Sequence, residues 1–130
     1  QLKMLKENDF VNIGSHSVNH LNMSKLSIKE LNYELKKSKK ILEKILKYKI
    51  TDFAYPFGTE NEVTEREFIE TNNSNYNNAV TTYNIPIMKG CNPFALPRVG
   101  IDNSINHKNI FGLLSRYSYL IKDLFKNLKL

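Results

Sequence analysis

The hydrophobic pattern of the chain is clearest between residues 27 and 48. Ser27–Glu30 has the form of a capping box, in which Ser27 caps a helix and Glu30 bonds back to it. The following apolar residues recur at intervals of three, four or seven, while lysines occupy the other face, which predicts an amphipathic helix that stops near Tyr48. The apolar positions are 28, 31, 35, 42, 45 and 46.

Two further helices are predicted from the same kinds of signal. Thr64–Glu67 repeats the capping-box form and starts a short helix with Phe68 and Ile69 on its buried side. A final helix is expected over about residues 108–127, because apolar residues recur there at helical spacing.

Short apolar runs between these helices predict strands. Residues 10–13 are closed by Gly14, and Phe53–Tyr55 is closed by a proline and a glycine. Residues 79–82 are rich in β-branched side chains, and residues 95–101 form another short apolar piece. Strands that alternate with helices favour an α/β fold with a parallel sheet. We find no repeat or linker, so residues 1–130 are expected to form a single domain.

Composition narrows the function classes. The chain has 130 residues and a net charge of +6, with 41% hydrophobic residues, as in a globular protein. The lysines are scattered and few arginines accompany them, so no nucleic-acid partner is expected. A single cysteine excludes an internal disulfide, and no apolar run is long enough for a transmembrane segment. The lysine-rich helix face leaves a membrane- or nucleic-acid-surface role as a minor alternative, but such faces are usually just solvated.

Two histidines four residues apart are the sharpest chemical feature. His16 and His20 would lie on one face if their segment were helical, and two neutral imidazoles can then bind one Zn²⁺. Ser17 stands where the zincin motif needs glutamate, which excludes that protease class. By itself such a pair is more often a surface feature without metal. Its position directly after a predicted strand favours a ligand site.

Two other short segments are candidate parts of a functional site. Phe53–Gly58 reads Phe-Ala-Tyr-Pro-Phe-Gly, which by itself is most simply a strand that ends in a turn. Arg98 lies in the apolar run Leu96–Val99, where an inward guanidinium needs an acidic partner and an outward one lies at the surface.

Together these segments resemble the polysaccharide deacetylases, the NodB-like group of carbohydrate esterase family four. Gly14–Leu21 resembles the family's His-[Ser/Thr]-x-x-His motif, and Phe53–Gly58 resembles its third motif. Residues 79–82 and the Leu-Pro-Arg of 96–98 resemble a later strand and segment of one subgroup. The resemblance covers about residues 2–102.

The resemblance implies roles for several residues. His16 and His20 would bind Zn²⁺ or another divalent metal, and Ser17 would help to order their loop. The backbone N–H of Phe57 would help to hold the oxyanion, and Arg98 would orient a catalytic aspartate. The implied reaction is hydrolysis of N-acetyl groups on an N-acetylated polysaccharide or oligosaccharide.

The chain departs from the family pattern in two places. The aspartate motif that supplies the base and the third metal ligand has no match before His16, and Asp9 is expected to be a solvated turn residue. Residues 105–107 match only loosely the late family motif that supplies the general acid. Complete α/β barrels run from about 200 residues upward. We therefore expect a partial NodB-like deformed (β/α) barrel that lacks one or more N-terminal β/α units.

These expectations leave two main functions open. One is metal-dependent N-deacetylation by a complete protein, with this chain incomplete or inactive alone. The other is a non-catalytic carbohydrate-binding or structural remnant of a deacetylase. The family resemblance points to the cell envelope, and self-association through an exposed sheet edge is expected.

Overall fold

The computed structural model describes residues 2–100, which form alternating helices and strands. The predicted final helix, Asp102 and residues 105–107 lie outside the described residues. In chain order the elements are helix α1 (Leu2–Lys6), a short 3₁₀ helix (Met23–Lys25), helix α2 (Ile28–Leu46), strand β1 (Asp52–Ala54), helix α3 (Glu65–Asn73) and strand β2 (Asn78–Val80).

Both predicted capping boxes are present. Ser27 precedes α2, and its backbone N–H donates to the Glu30 carboxylate at 2.8 Å. Thr64 and Glu67 form the equivalent pair at the start of α3. Helix α2 ends in a left-handed residue, Lys47 with φ of 58°, whose N–H bonds to the Glu43 carbonyl. The predicted end of this helix was therefore correct to within two residues.

The sheet is parallel, as the alternation of elements predicts. Strands β1 and β2 pair with Phe53 opposite Ala79. Isolated parallel bridges join Ser15 to Phe53 and Val80 to Leu96. Four chain segments therefore run side by side in the order Ser15, β1, β2, Leu96, and their carboxyl ends lie at the same edge.

The predicted buried strand at residues 10–13 was wrong. Asn8 instead closes a turn, because its carbonyl accepts from the Val11 N–H and its side chain accepts from the Phe10 N–H. Phe10 is 99% exposed as a result. The predicted burial of Ile69 was also wrong, since it is 49% exposed and α3 instead buries Glu67 and Thr71.

The hydrophobic core lies where α2 and α3 cover β1 and β2. Tyr55 and Phe53 are its largest fully buried side chains and meet edge to face. The Tyr55 hydroxyl donates to the Phe94 carbonyl at 3.0 Å, and burial raises the pKa of that hydroxyl. The other core residues are Met23, Leu31, Leu35, Leu46, Ile50, Val63, Tyr76 and Ala79.

Within residues 2–100, no helix combines the length and apolar character needed to cross a membrane.

Candidate metal and substrate site

All four candidate site residues follow the carboxyl ends of the parallel segments. His16 comes directly after Ser15, and His20 ends the same loop. Phe57 lies three residues after β1, and Arg98 lies two residues after Leu96. Ligand sites of open parallel sheets lie at this edge, so the fold brings the predicted residues to one side of the molecule.

The two histidine rings meet across a loop. Their ring centroids are 4.8 Å apart, with the rings edge to face. The segment is not helical, so the spacing argument for one helix face does not apply. Ser17 and His20 instead adopt left-handed φ values of 63° and 54°, which bend the loop back on itself. Both histidines remain exposed.

Hydrogen bonds orient this loop. The Nδ1 atom of His16 lies 2.7 Å from the carbonyl oxygen of Ala54, the last residue of β1. A carbonyl only accepts, so Nδ1 is the donor here, and in the neutral ring the lone pair then lies on Nε2. The His20 N–H donates to the Ser17 hydroxyl at 3.0 Å. This contact agrees with the loop-ordering role expected of Ser17.

Glu34 also contacts the histidine loop, a role that the sequence motifs did not predict. One carboxylate oxygen accepts from the backbone N–H groups of Val18 and Asn19, at 2.8 and 2.9 Å. The other accepts from the Asn19 side-chain amide at 2.6 Å. A signal was available, because Glu34 stands on the apolar face of α2 beside Leu31 and Leu35.

Phe57 lies beside His20 in a strained turn. Its φ is 60°, and its half-exposed ring meets the His20 ring edge to face at a centroid distance of 5.0 Å. The Thr82 hydroxyl donates to the Phe57 carbonyl at 2.9 Å, and the Thr82 N–H donates to the Gly58 carbonyl. The Phe57 N–H donates to no acceptor within the described part of the chain.

Arg98 is exposed at the same edge. Its Nε donates to the Thr81 carbonyl at 2.7 Å. No carboxylate pairs with it among residues 2–100. Arg98 and Thr82 line an open depression of about 470 Å³ together with Asn84, Val99 and Gly100.

The described aspartates do not join the histidine pair. Asp9 is exposed in a turn, as expected. Asp52 begins β1, whereas His16 contacts the last residue of that strand. Burial alone would raise the pKa of Asp52, but hydrogen bonds from Asn12, Thr51 and Asn78 lower it overall.

The donor set fits part of a divalent metal site. Two exposed imidazoles lie together, and one of them holds its Nε2 lone pair for a ligand. Residues 2–100 contain no group of three or more His, Cys, Asp or Glu side chains placed to hold a metal ion. A third protein ligand is therefore not supplied by the part of the chain that the structure describes.

Comparison with known proteins matches the sequence of this chain to one family model. The sequence model of the family described as polysaccharide deacetylase matches residues 1–76. No curated protein matches the chain.

Solved deacetylase structures share the fold. The Streptococcus pyogenes deacetylase PplD, solved in complex with acetate, superposes with a TM-score of 0.75 at 27% identity, over 88% of this chain and 50% of its own. A polysaccharide deacetylase from Bacillus cereus gives 0.74 at 26% identity, over 88% and 35%. The chain thus spans between a third and a half of these proteins, and the expected partial NodB-like barrel is confirmed.

Proposed function

Because this chain belongs to the polysaccharide deacetylase family, we propose that it supplies part of the active site of an enzyme that removes N-acetyl groups from an amino-sugar polymer. The observation that carries the proposal is the histidine pair at the carboxyl edge of the sheet, with its ring centroids 4.8 Å apart and His16 held by the Ala54 carbonyl. The family match covers residues 1–76 and includes both histidines.

In this proposal His16 and His20 are two ligands of Zn²⁺ or another divalent metal. A metal bound there supplies Lewis-acid polarisation of the acetyl carbonyl and activation of water. His16 contributes its Nε2 lone pair, because the Ala54 carbonyl holds the proton on Nδ1. Histidines that bind a metal almost always donate their other ring N–H to a carboxylate, a backbone carbonyl or a water molecule, and this hydrogen bond fixes the orientation of the ring.

Phe57 donates its backbone N–H to the oxygen on which negative charge develops as the amide is attacked. Three features support this role: the ring lies against His20, φ is 60°, and the N–H has no acceptor within residues 2–100. Arg98 orients the carboxylate that acts as base, with its Nε anchored on Thr81. That carboxylate comes from outside the described residues.

The substrate in this proposal is an N-acetylated polysaccharide or oligosaccharide. Acetate is the second product of such a hydrolysis, and the Streptococcus pyogenes relative was solved in complex with acetate. The depression beside Arg98 and Thr82 opens on the same edge as the histidine pair, which gives a sugar chain room to approach.

Calorimetric titration with Zn²⁺ tests the metal assignment. This chain should bind Zn²⁺ weakly, since two imidazoles alone hold it, and both His16→Ala and His20→Ala should abolish the heat of binding. Binding of submicromolar affinity that survives His16→Ala would overturn the assignment.

Acetate release from a chitooligosaccharide tests the reaction. With Zn²⁺ added, this chain alone should release none, because its described residues place no base beside the histidines. A longer protein that joins this chain to the family's aspartate motif should release acetate in a His16-dependent manner. If that longer protein binds the oligosaccharide without releasing acetate, the alternative of a non-catalytic carbohydrate-binding remnant is supported instead.

A further inference from the structure

Two polar side chains interrupt the buried face of α2. Glu34 is 2% exposed and Ser38 is 5% exposed, one helical turn apart among buried leucines. A charge in such a place costs free energy unless hydrogen bonds compensate it. The hydrogen-bond partners of these two side chains therefore show which segment of the chain the helix stabilises.

Both side chains contact the segment that carries the histidines. The Ser15 hydroxyl donates to the Ser38 hydroxyl at 2.7 Å, directly before His16. Glu34 accepts from Val18 and Asn19, the two residues before His20. Each end of the histidine loop is thus tied to the same buried stripe of α2.

The Glu34 charge is compensated by the loop itself. Its partners are two backbone N–H groups and one side-chain amide, all from residues 18 and 19. The ion pair found within residues 2–100 joins Arg66 to Glu67 and does not involve Glu34. Successive backbone N–H groups that converge on one oxygen form an anion-binding nest, and here the anion is a side chain of the fold.

The loop needs such support because its backbone is strained. Ser17 and His20 both adopt left-handed φ, which non-glycine residues hold only where the surrounding structure imposes it. The residues between them are those that Glu34 binds.

We infer that Glu34 is a positioning residue that closes the loop between His16 and His20 and so brings their imidazoles together. The carboxylate forms no hydrogen bond to either ring and acts through residues 18 and 19. Its consequence for metal affinity rests on the proposed function, whereas its effect on ring geometry does not.

The geometry is tested first on the metal-free chain by nuclear Overhauser contacts between the two histidine rings. Glu34→Leu should lose the ring–ring contact, because the N–H groups of Val18 and Asn19 lose their acceptor. Glu34→Gln should keep the ring–ring contact, since the glutamine amide oxygen still accepts from both backbone N–H groups. The Asn19 side-chain amide can rotate by about 180° so that its oxygen accepts from the new NH₂ group. The matched control is Glu67→Leu, which removes another fully buried carboxylate away from the loop.

Retention of the ring–ring contact in Glu34→Leu, with a loss of thermal stability equal to that of Glu67→Leu, would overturn the inference. If Glu34→Leu does not fold, Asn19→Asp decides, because it places a second carboxylate against Glu34 from an exposed position. Loss of the contact in a folded Asn19→Asp chain supports the inference, and its retention contradicts it.

Zn²⁺ affinity is the second measurement. Loss of a group that orients a metal ligand typically lowers affinity about 10–100-fold, so Glu34→Leu should show a loss of that order and Glu67→Leu none. A wild-type chain that shows the ring contact but binds no Zn²⁺ would contradict the proposed function and leave the positioning role standing.

Discussion

The two ends of β1 both carry polar residues, but those residues are used differently. At the amino end, the Asp52 carboxylate accepts from Asn12, Thr51 and Asn78 at 2.9, 2.8 and 2.7 Å. At the carboxyl end, the His20 ring makes no hydrogen bond within the described part of the chain, and the Phe57 N–H has no acceptor there.

This contrast separates structural from ligand-binding polar groups. The Asp52 carboxylate accepts hydrogen bonds from its neighbours, including its cross-strand partner Asn78. These bonds stabilise the fold and are not available to a ligand. Among residues 2–100, the carboxyl end keeps unpaired donors and lone pairs in an exposed place with a strained backbone. Strained backbone conformations cluster at functional sites. Substitution of Asp52 at the amino end should therefore change the free energy of unfolding, whereas substitution of the ligand-binding residues at the carboxyl end should change Zn²⁺ binding or acetate release.

The largest effect is expected from His16→Ala at the carboxyl end. Removing one of two ligands should weaken Zn²⁺ binding by at least about 100-fold, beyond the 10–100-fold typical of a supporting residue. Calorimetric titration measures this, with Asp52→Asn as the control from the other end of the strand. Equal losses in the two variants would abolish the distinction between the ends.

Arg98→Met should come next. In a protein that joins this chain to the family's aspartate motif, acetate release should fall by about 100-fold or more as the base loses its orientation. Stability of the present chain should change little, by about 0.5–1.5 kcal/mol for the hydrogen bond to Thr81. Arg66→Met is the matched control, because Arg66 bonds to the Met23 and Leu26 carbonyls and to Glu67. Arg66→Met should cost more stability than Arg98→Met. Normal turnover in Arg98→Met would contradict the role of Arg98 in orienting the base.

Gly58→Ala tests the turn that presents Phe57. Gly58 has φ of +73°, and an added Cβ would lie 3.1 Å from the Thr82 nitrogen and 3.2 Å from the Tyr55 carbonyl oxygen. Gly90, with φ of +86° and nothing within 4 Å of an added Cβ, is the matched control. In denaturant unfolding, Gly90→Ala should cost about 1–2 kcal/mol for its backbone conformation. Gly58→Ala should cost about 1–3 kcal/mol more for the steric overlap, and equal costs would mean that the turn yields freely.

Asp52→Asn should reduce stability by about 1–2 kcal/mol, because the hydrogen bonds lose their charged acceptor. The folded-state pKa of Asp52 is lowered from its ordinary 3.8. Its stabilisation is therefore fully present above the unfolded-state pKa and is lost as the pH falls through the lower folded-state pKa. The difference in unfolding free energy between wild type and Asp52→Asn should thus shrink in acid below about pH 4. A difference that stays constant over that range would contradict this account.

The smallest effect concerns self-association, which stays a prediction. Phe10 is 99% exposed next to the segment that pairs with β1 on one side only in the described structure. Sedimentation should show concentration-dependent association that Phe10→Ser weakens about fivefold, since partial burial of one phenylalanine is worth roughly 1 kcal/mol. Ile87→Ser, at a 65% exposed position in another loop, should leave it unchanged.

Features set by near neighbours in the chain were readable from the sequence. The capping boxes at Ser27 and Thr64 each depend on a residue three positions on, and both are present. The helical repeat of α2 and the turn after β1 were found for the same reason. The position of a strand was less secure: residues 10–13 carry a strand-like run, yet the Asn8 turn leaves Phe10 in solvent.

The sequence also nominated His16, His20, Phe57 and Arg98 as candidates, because they lie in segments whose order resembles a family, and their roles stay predictions. Their arrangement was not readable. The histidine spacing suggested one helix face, but the rings meet through a loop with two left-handed residues. The contacts that hold this loop come from Ala54, 38 residues away, and from Glu34, 14 positions after His20. Local pattern identifies residue types and helix ends because those interactions span three or four residues, whereas the pairing of the imidazoles depends on a strand and a helix packing together.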